Sequence, residues 1–229
     1  MPGRLLVLFD IDGTLLLTHD PLMGQAVVET LEEAYAVSLP ADAIDRVDHA
    51  GQTAKRIARL VLYDAGLDEE AIDAHLDPWC ARSAARYLEL LAAGSTADWR
   101  AAPGADETLR ALREKGHRLA LLTGNPEPAA RARMERLGLA GFFPPGQGGF
   151  GCDGEARAAL IDVARRRAGG WSAGHTVEVG DTCRDVGTAH DAGARSVAIA
   201  SGRVERARLA AADAVIASLE ELPAVLEAF

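Results

Sequence analysis

The chain has 229 residues, 48% of them hydrophobic and 25% charged, which suits one large soluble domain or a core domain carrying an insertion. Its 24 Lys and Arg stand against 34 Asp and Glu, a formal charge of -10. That balance makes it a poor general binder of nucleic acid, whose phosphates need basic patches. A small anion can still be held where a metal ion or local arginines reverse the sign. No apolar run is long enough to cross a bilayer. The apolar stretch Leu5–Phe9 runs straight into Asp10, unlike a signal peptide. Cys80, Cys152 and Cys183 are far apart, odd in number and without zinc spacing, so they are expected to be reduced thiols in a cytoplasmic protein.

Residues 4–9 (RLLVLF) read as a short strand buried on both faces, as in a parallel sheet. Residues 20–94 then read as helix upon helix, with no strand candidate between them. The exits of this insertion lie near His19 and in the turn-rich segment 94–104 (GSTADWRAAPG). Beyond it the pattern alternates. Helices are expected over 104–115, 126–138, 154–168, 182–192, 203–211 and 218–228. Strands are expected over 117–123, 175–181, 195–200 and 212–217. The expected fold is α/β, a doubly wound and mainly parallel sheet, with residues 1–17 and 97–229 as the core and 18–96 as a helical domain inserted after the first strand. Trp79, Trp99 and Trp171 are scattered and read as packing or hinge residues.

In such sheets ligands sit at the carboxyl ends of the strands. The first strand ends in Asp10-Ile-Asp12-Gly13-Thr14, another in Thr123-Gly124-Asn125, and a third in Gly180-Asp181 with Asp185 four residues on. Asp10, Asp12, Asp181 and Asp185 on one rim would repel each other unless a cation sits among them. Hard oxygens without His or Cys select Mg²⁺ over zinc. Asn125 can cap the next helix and Pro126 fits its first turn. Thr123 beside that helix start makes an anion site, and Arg157 offers forked donors suited to phosphate. Together these describe a phosphoryl-transfer centre. The glycines of 146–155 (GQGGFGCDGE) lack the setting of a nucleotide loop.

The segments DIDGT (10–14) and GDTCRD (180–185), with Thr123 and Arg157 between them, resemble the four motifs of the haloacid dehalogenase superfamily, in its phosphatase branch with a phosphoglycolate phosphatase-like cap. The resemblance implies that Asp10 is the nucleophile forming an aspartyl-phosphate and that Asp12 is the general acid and then base. Thr123, Gly124 and Asn125 would hold the phosphoryl oxygens. Mg²⁺ would be bound by Asp10, the main-chain carbonyl of Asp12, Asp181 and, directly or through water, Asp185. Arg157 stands where the family commonly has lysine. Residues 49–56 (HAGQTAKR) fall where related phosphatases carry a substrate loop, which makes Thr53 and Arg56 substrate candidates. Thr53 also reads as a helix cap, the commoner role, and Arg56 as a residue of a solvated face. The implied activity is Mg²⁺-dependent hydrolysis of a small phosphorylated metabolite by a monomer or homodimer. The alternative is a sugar phosphomutase on the same scaffold.

Overall fold

A computed structural model describes residues 3–200 and 204–229. Six strands form one parallel sheet: β1 (Leu6–Phe9), β2 (Arg118–Thr123), β3 (Gly149–Phe150), β4 (Thr176–Gly180), β5 (Arg195–Ile199) and β6 (Ala214–Ile216), in the order β3-β2-β1-β4-β5-β6. The chain winds outward from β1 in both directions, so the switch point falls between β1 and β4, where open α/β sheets take their ligands. Both faces of the sheet are covered. Val7, Phe9, Leu121, Val177 and Val179 pack into the core on one side, and Leu6, Leu8, Ala120 and Leu122 meet Leu160, Ile161 and Ala164 on the other. This two-sided burial is why β1 and most of β2 read as unbroken apolar runs.

The helices flanking the sheet are α4 (Ala105–Glu114), α5 (Glu127–Arg136), α6 (Arg157–Arg167), α7 (Cys183–Asp191) and the short α8 (Leu222–Leu226). The helix expected over 203–211 has its first residue outside the described residues, and the remainder includes only a 3-10 turn, Arg206–Leu209. The strand missed by sequence is β3, two residues inside the glycine-rich stretch. Those glycines serve close packing: a Cβ on Gly151 would lie 1.6 Å from the carbonyl oxygen of Gly124.

Between β1 and α4 stand α1 (Pro21–Tyr35), α2 (Ala54–Asp64) and α3 (Glu69–Ala93), with no strand among them. Their N-termini are capped by Asp20, Thr53 and Asp68. Val27, Leu31, Ala58, Leu62, Ile72, Leu76 and Trp79 bury against one another as a core separate from that of the sheet. The indole N–H of the buried Trp79 donates to Thr30 Oγ1 at 2.9 Å. The chain leaves and re-enters the sheet side by side. Leu17 N donates to the Arg100 carbonyl and Ala102 N to the Leu15 carbonyl, both at 2.9 Å, and Leu16 bridges Ala101 in antiparallel sense.

The expectation of three reduced thiols is corrected. Cys80 on α3 and Cys152, two residues beyond β3, form a disulfide with Cα atoms 5.9 Å apart. Their separation of 72 residues hid the pairing, because only the fold brings them within bonding reach. Cys183 is a free, exposed thiol and does not fill core space.

Candidate active site

The carboxyl end of β1 places Asp10 at the switch point, with its N–H donating to the Val179 carbonyl on β4 at 2.9 Å. The next residues turn sharply: the N–H groups of Thr14, Leu15 and Leu16 all donate to the Ile11 carbonyl. Gly13 has φ +91, and a Cβ there would lie 2.2 Å from Asp181 Oδ2. Only glycine lets this loop pass so close to the second acid. Gly180 plays the same part for Asp185, whose Cγ would lie 2.5 Å from an added Cβ.

Asp10, Asp181 and Asp185, all buried, each present an oxygen within 4.8 Å of the others. Arg157, the first residue of α6, reaches into the cluster. One terminal nitrogen donates to Asp185 at 2.6 Å and to Asp10 at 3.1 Å, and lies 3.7 Å from Glu178. The other donates to the Gly51 carbonyl at 3.1 Å. Asp185 also completes a capping box on α7, accepting from Thr182 N and Thr182 Oγ1. Three carboxyl groups, those of Asp10, Asp185 and Glu178, therefore face one guanidinium, and Asp181 lies beside Asp10 and Asp185. Burial pushes the Asp10 pKa up to about 8; Arg157 opposes that rise and the neighbouring acids add to it. Burial likewise raises Glu178 well above the carboxylate range. Burial alone would lower Arg157, but Asp185, Asp10 and Glu178 outweigh it and hold the cation firmly charged. The surplus of hard oxygen donors without His or Cys fits a divalent cation such as Mg²⁺.

Asp12 points elsewhere. Its side chain is 45% exposed and does not join the three clustered acids. It accepts two bonds from Arg133 on α5, at 2.8 and 3.0 Å, and one from Asn125 Nδ2 at 2.8 Å. Asn125 also donates to Thr123 Oγ1 at 2.9 Å. Pro126 occupies the cap position of α5, and no side chain bonds the free amides there. Asn125 therefore braces Asp12 and Thr123 where capping was expected.

Asp10, Asp12, Thr123, Gly124, Asn125, Arg157 and Asp181 all line one cavity of about 930 Å³ between the sheet rim and the α1–α3 segment. Its far wall includes Met23, Val27, Val28, Ile44 and Ile57. Thr53 and Arg56 are not part of that lining. The Thr53 hydroxyl caps α2 and donates to the Glu155 carbonyl at 3.0 Å, so both its roles are structural. The neighbouring Gly51 and Gln52 face the cavity in their place.

Sequence reasoning missed Glu178, Asp20, Tyr87 and Arg133. Glu178 announces itself only as a carboxylate inside the buried run TVEVG. Asp20, before Pro21, carries a helix-start signal. Arg133, within RARMER, looks like any solvated helix arginine and carried none.

A parallel sheet with acids and a forked cation at its switch point defines a hydrolase-type α/β enzyme of the phosphatase kind. The model of the haloacid dehalogenase-like hydrolases matches residues 5–193, and the chain belongs to that family. It is 33% identical over 202 residues to a phosphoglycolate phosphatase of Rhodospirillum rubrum, covering 86% of this chain and 79% of that one. It is 29% identical over 206 residues to a phosphoglycolate phosphatase of Synechococcus elongatus, covering 90% and 88%. The fold is also that of a crystal structure described as a predicted phosphatase from Clostridium acetobutylicum, with TM-score 0.68, 21% identity and coverage of 98% and 100%. A hydrolase structure from Pseudomonas syringae aligns with TM-score 0.62, 20% identity and coverage of 97% and 98%.

Proposed function

We propose that this chain is a Mg²⁺-dependent phosphomonoesterase acting on a small phosphorylated metabolite in the cytoplasm, through an aspartyl-phosphate on Asp10. One observation carries the reading: a buried Asp10 at the rim of a cavity, with Asp181 and Asp185 within ligand distance and Arg157 against it. An Asp10 oxygen attacks phosphorus and the ester P–O bond breaks. Asp12, two residues on and facing the same cavity, gives its proton to the leaving oxygen. It then takes one from the water that attacks phosphorus, which frees Asp10 and inorganic phosphate. Thr123 and the open amides at the start of α5 receive phosphoryl oxygens, with Gly124 and Asn125 beside them. Mg²⁺, held by Asp10, the Asp12 carbonyl, Asp181 and Asp185, would neutralise charge on the phosphoryl group. Residues 18–96 act as a cap that closes over the site and excludes water.

The leaving group would lie against the wall of Met23, Val27, Val28 and Ile44. Among the described lining residues the only Lys or Arg side chains are Arg133 and Arg157, and both are committed to carboxylates. A mutase would need a cation for a second phosphate, so hydrolysis is the favoured outcome. Phosphoglycolate is the first ester to test, because the two relatives above carry its name. The experiment is phosphate release from 2-phosphoglycolate, p-nitrophenyl phosphate, glycerol phosphate and hexose phosphates, with Mg²⁺ and with EDTA. Turnover that needs Mg²⁺ and disappears in Asp10→Asn is expected. Full activity in EDTA, or in Asp10→Asn, overturns the mechanism.

A further inference from the structure

We infer that Arg133 is a positioning residue that sets the carboxyl group of Asp12 and couples it to the seating of the α1–α3 segment. This rests on the acid–base role proposed for Asp12. The Arg133 side chain is 2% exposed, yet its guanidinium holds two carboxylates from different parts of the fold. Nη1 forks onto both oxygens of Asp12, while Nη2 donates to Asp20 Oδ2 at 2.8 Å. The Tyr87 hydroxyl, on α3, closes the ring: it accepts from Arg133 Nε at 3.0 Å and donates to Asp20 Oδ2 at 2.7 Å. Asp20 in turn caps α1, accepting from Leu22 N. Moving the helices outward would take Asp20 and Tyr87 away from a buried cation, leaving it with Asp12 alone. Stripping partners from a buried charge is strongly unfavourable, so the aligned Asp12 and the seated helices belong to one arrangement.

Leaving-group dependence tests this, because p-nitrophenolate departs with little need of a proton and an alkoxide does not. Asp12→Asn is the reference and should lose at least about tenfold more kcat on glycerol phosphate than on p-nitrophenyl phosphate. Arg133→Met should repeat that skew with KM nearly unchanged, and Arg133→Lys, which keeps charge but loses the fork, should show a smaller skew. Equal losses on both esters in Arg133→Met, or a change confined to KM, overturn the inference. If Arg133→Met fails to fold, Arg133→Lys decides by the same criterion. Absence of the skew in Asp12→Asn itself would instead remove the role proposed for Asp12.

Independently, we propose that Cys80 and Cys152 form a redox latch on the α1–α3 segment. The pair joins α3 to the loop that leads into Arg157, by way of Glu155. Glu155 is itself clasped by Arg59 of α2 through two bonds of 2.7 Å. Fourteen residues of helix separate Cys80 from Gly94, roughly 20 Å from the connection about which the segment would swing. A covalent tie at that distance blocks opening far more effectively than one at the pivot. The latch rests on the cytoplasmic location proposed above, since disulfides in a reducing compartment are usually transient and redox-sensing. The latch forms when the two thiols lose two protons and two electrons to a small disulfide such as oxidised glutathione, which leaves as two thiols.

The full-length chain is incubated with oxidised glutathione or with dithiothreitol, followed by intact-mass measurement and p-nitrophenyl phosphate turnover. A mass loss of two hydrogens with a several-fold fall in kcat, both reversed by dithiothreitol, is expected, since product must leave past the cap. Cys80→Ser and Cys152→Ser should turn over alike in both buffers, and Cys183→Ser should behave as the parent. Failure of the bridge to form, or equal turnover by bridged and reduced protein, overturns the proposal. A chain that hydrolyses no ester in either state contradicts the phosphatase reading, with the bridge still measured by mass.

Discussion

The sheet rim and the helical segment that faces it solve different problems. At the rim, charge is crowded on short parallel strands whose ends cannot shift without disturbing the core. Gly13 and Gly180 let backbone press against Asp181 and Asp185. Across the cavity, the wall of Met23, Val27, Val28 and Ile44 imposes no comparable geometry. Its joints to the sheet side include Arg157 to Gly51, Arg59 to Glu155, Ala54 N to Gly124, Arg133 to Asp20 and the Cys80–Cys152 disulfide. On the function proposed above, chemistry is built where the scaffold is stiff, and discrimination where it can be exchanged.

That contrast breaks most sharply under substitution of the rim. Asp10→Asn should bring phosphate release to the background rate, and EDTA should do the same to the parent protein; measurable turnover in either would place the chemistry elsewhere. Asp12→Asn should lower kcat by about 10²–10⁴-fold, read by steady-state kinetics. Arg157→Lys should retain most of the fold but raise KM about tenfold, because one ammonium cannot reach Asp10, Asp185 and Gly51 together.

Acid–base linkage sharpens the picture in metal-free protein. Asp10 is raised from 3.8 to about 8 in the fold, so between those values the native state holds a proton that the unfolded chain releases. Its contribution is therefore present below pH 4 and is lost as pH rises through about 8. In EDTA, Tm of the parent relative to Asp10→Asn should fall between pH 5 and pH 9, and the Tm gain on adding Mg²⁺ should be larger at the higher pH. A relative rise in EDTA would contradict the sign. The smallest effect is expected on the helical side: Thr53→Ala should cost about 1 kcal/mol in urea unfolding through loss of the α2 cap, with kcat nearly unaltered.

Most of the rim was legible in the amino-acid sequence because Asp10, Asp12, Asp181 and Asp185 each follow an apolar run or open a helix, whereas Glu178 lies inside a strand. Asp10, Thr123, Asp181 and Arg157 can be placed from β-to-α periodicity and a handful of motif residues. Asp20 carried a helix-start signal that went unused, while Arg133 and the cysteine pair had no local signature. Arg133 pairs with Asp12 across 121 positions, and Cys80 finds Cys152 across 72. Thr53 was legible as a cap, and its hydroxyl is occupied by the α2 amide of Arg56 and the Glu155 carbonyl. The two-residue β3 was hidden by its glycines, which carry no side-chain alternation to read.

The paired crossing at Leu16 and Ala101 has an evolutionary corollary. Because the excursion starts and finishes at adjoining backbone positions, a segment of different length or shape could be spliced there without altering strand register. Loop closure adds only about 0.6 kcal/mol for each doubling in length. One hydrolytic scaffold can thus accept grafted lids for unrelated leaving groups, and new selectivity need not wait for changes in the machinery beneath.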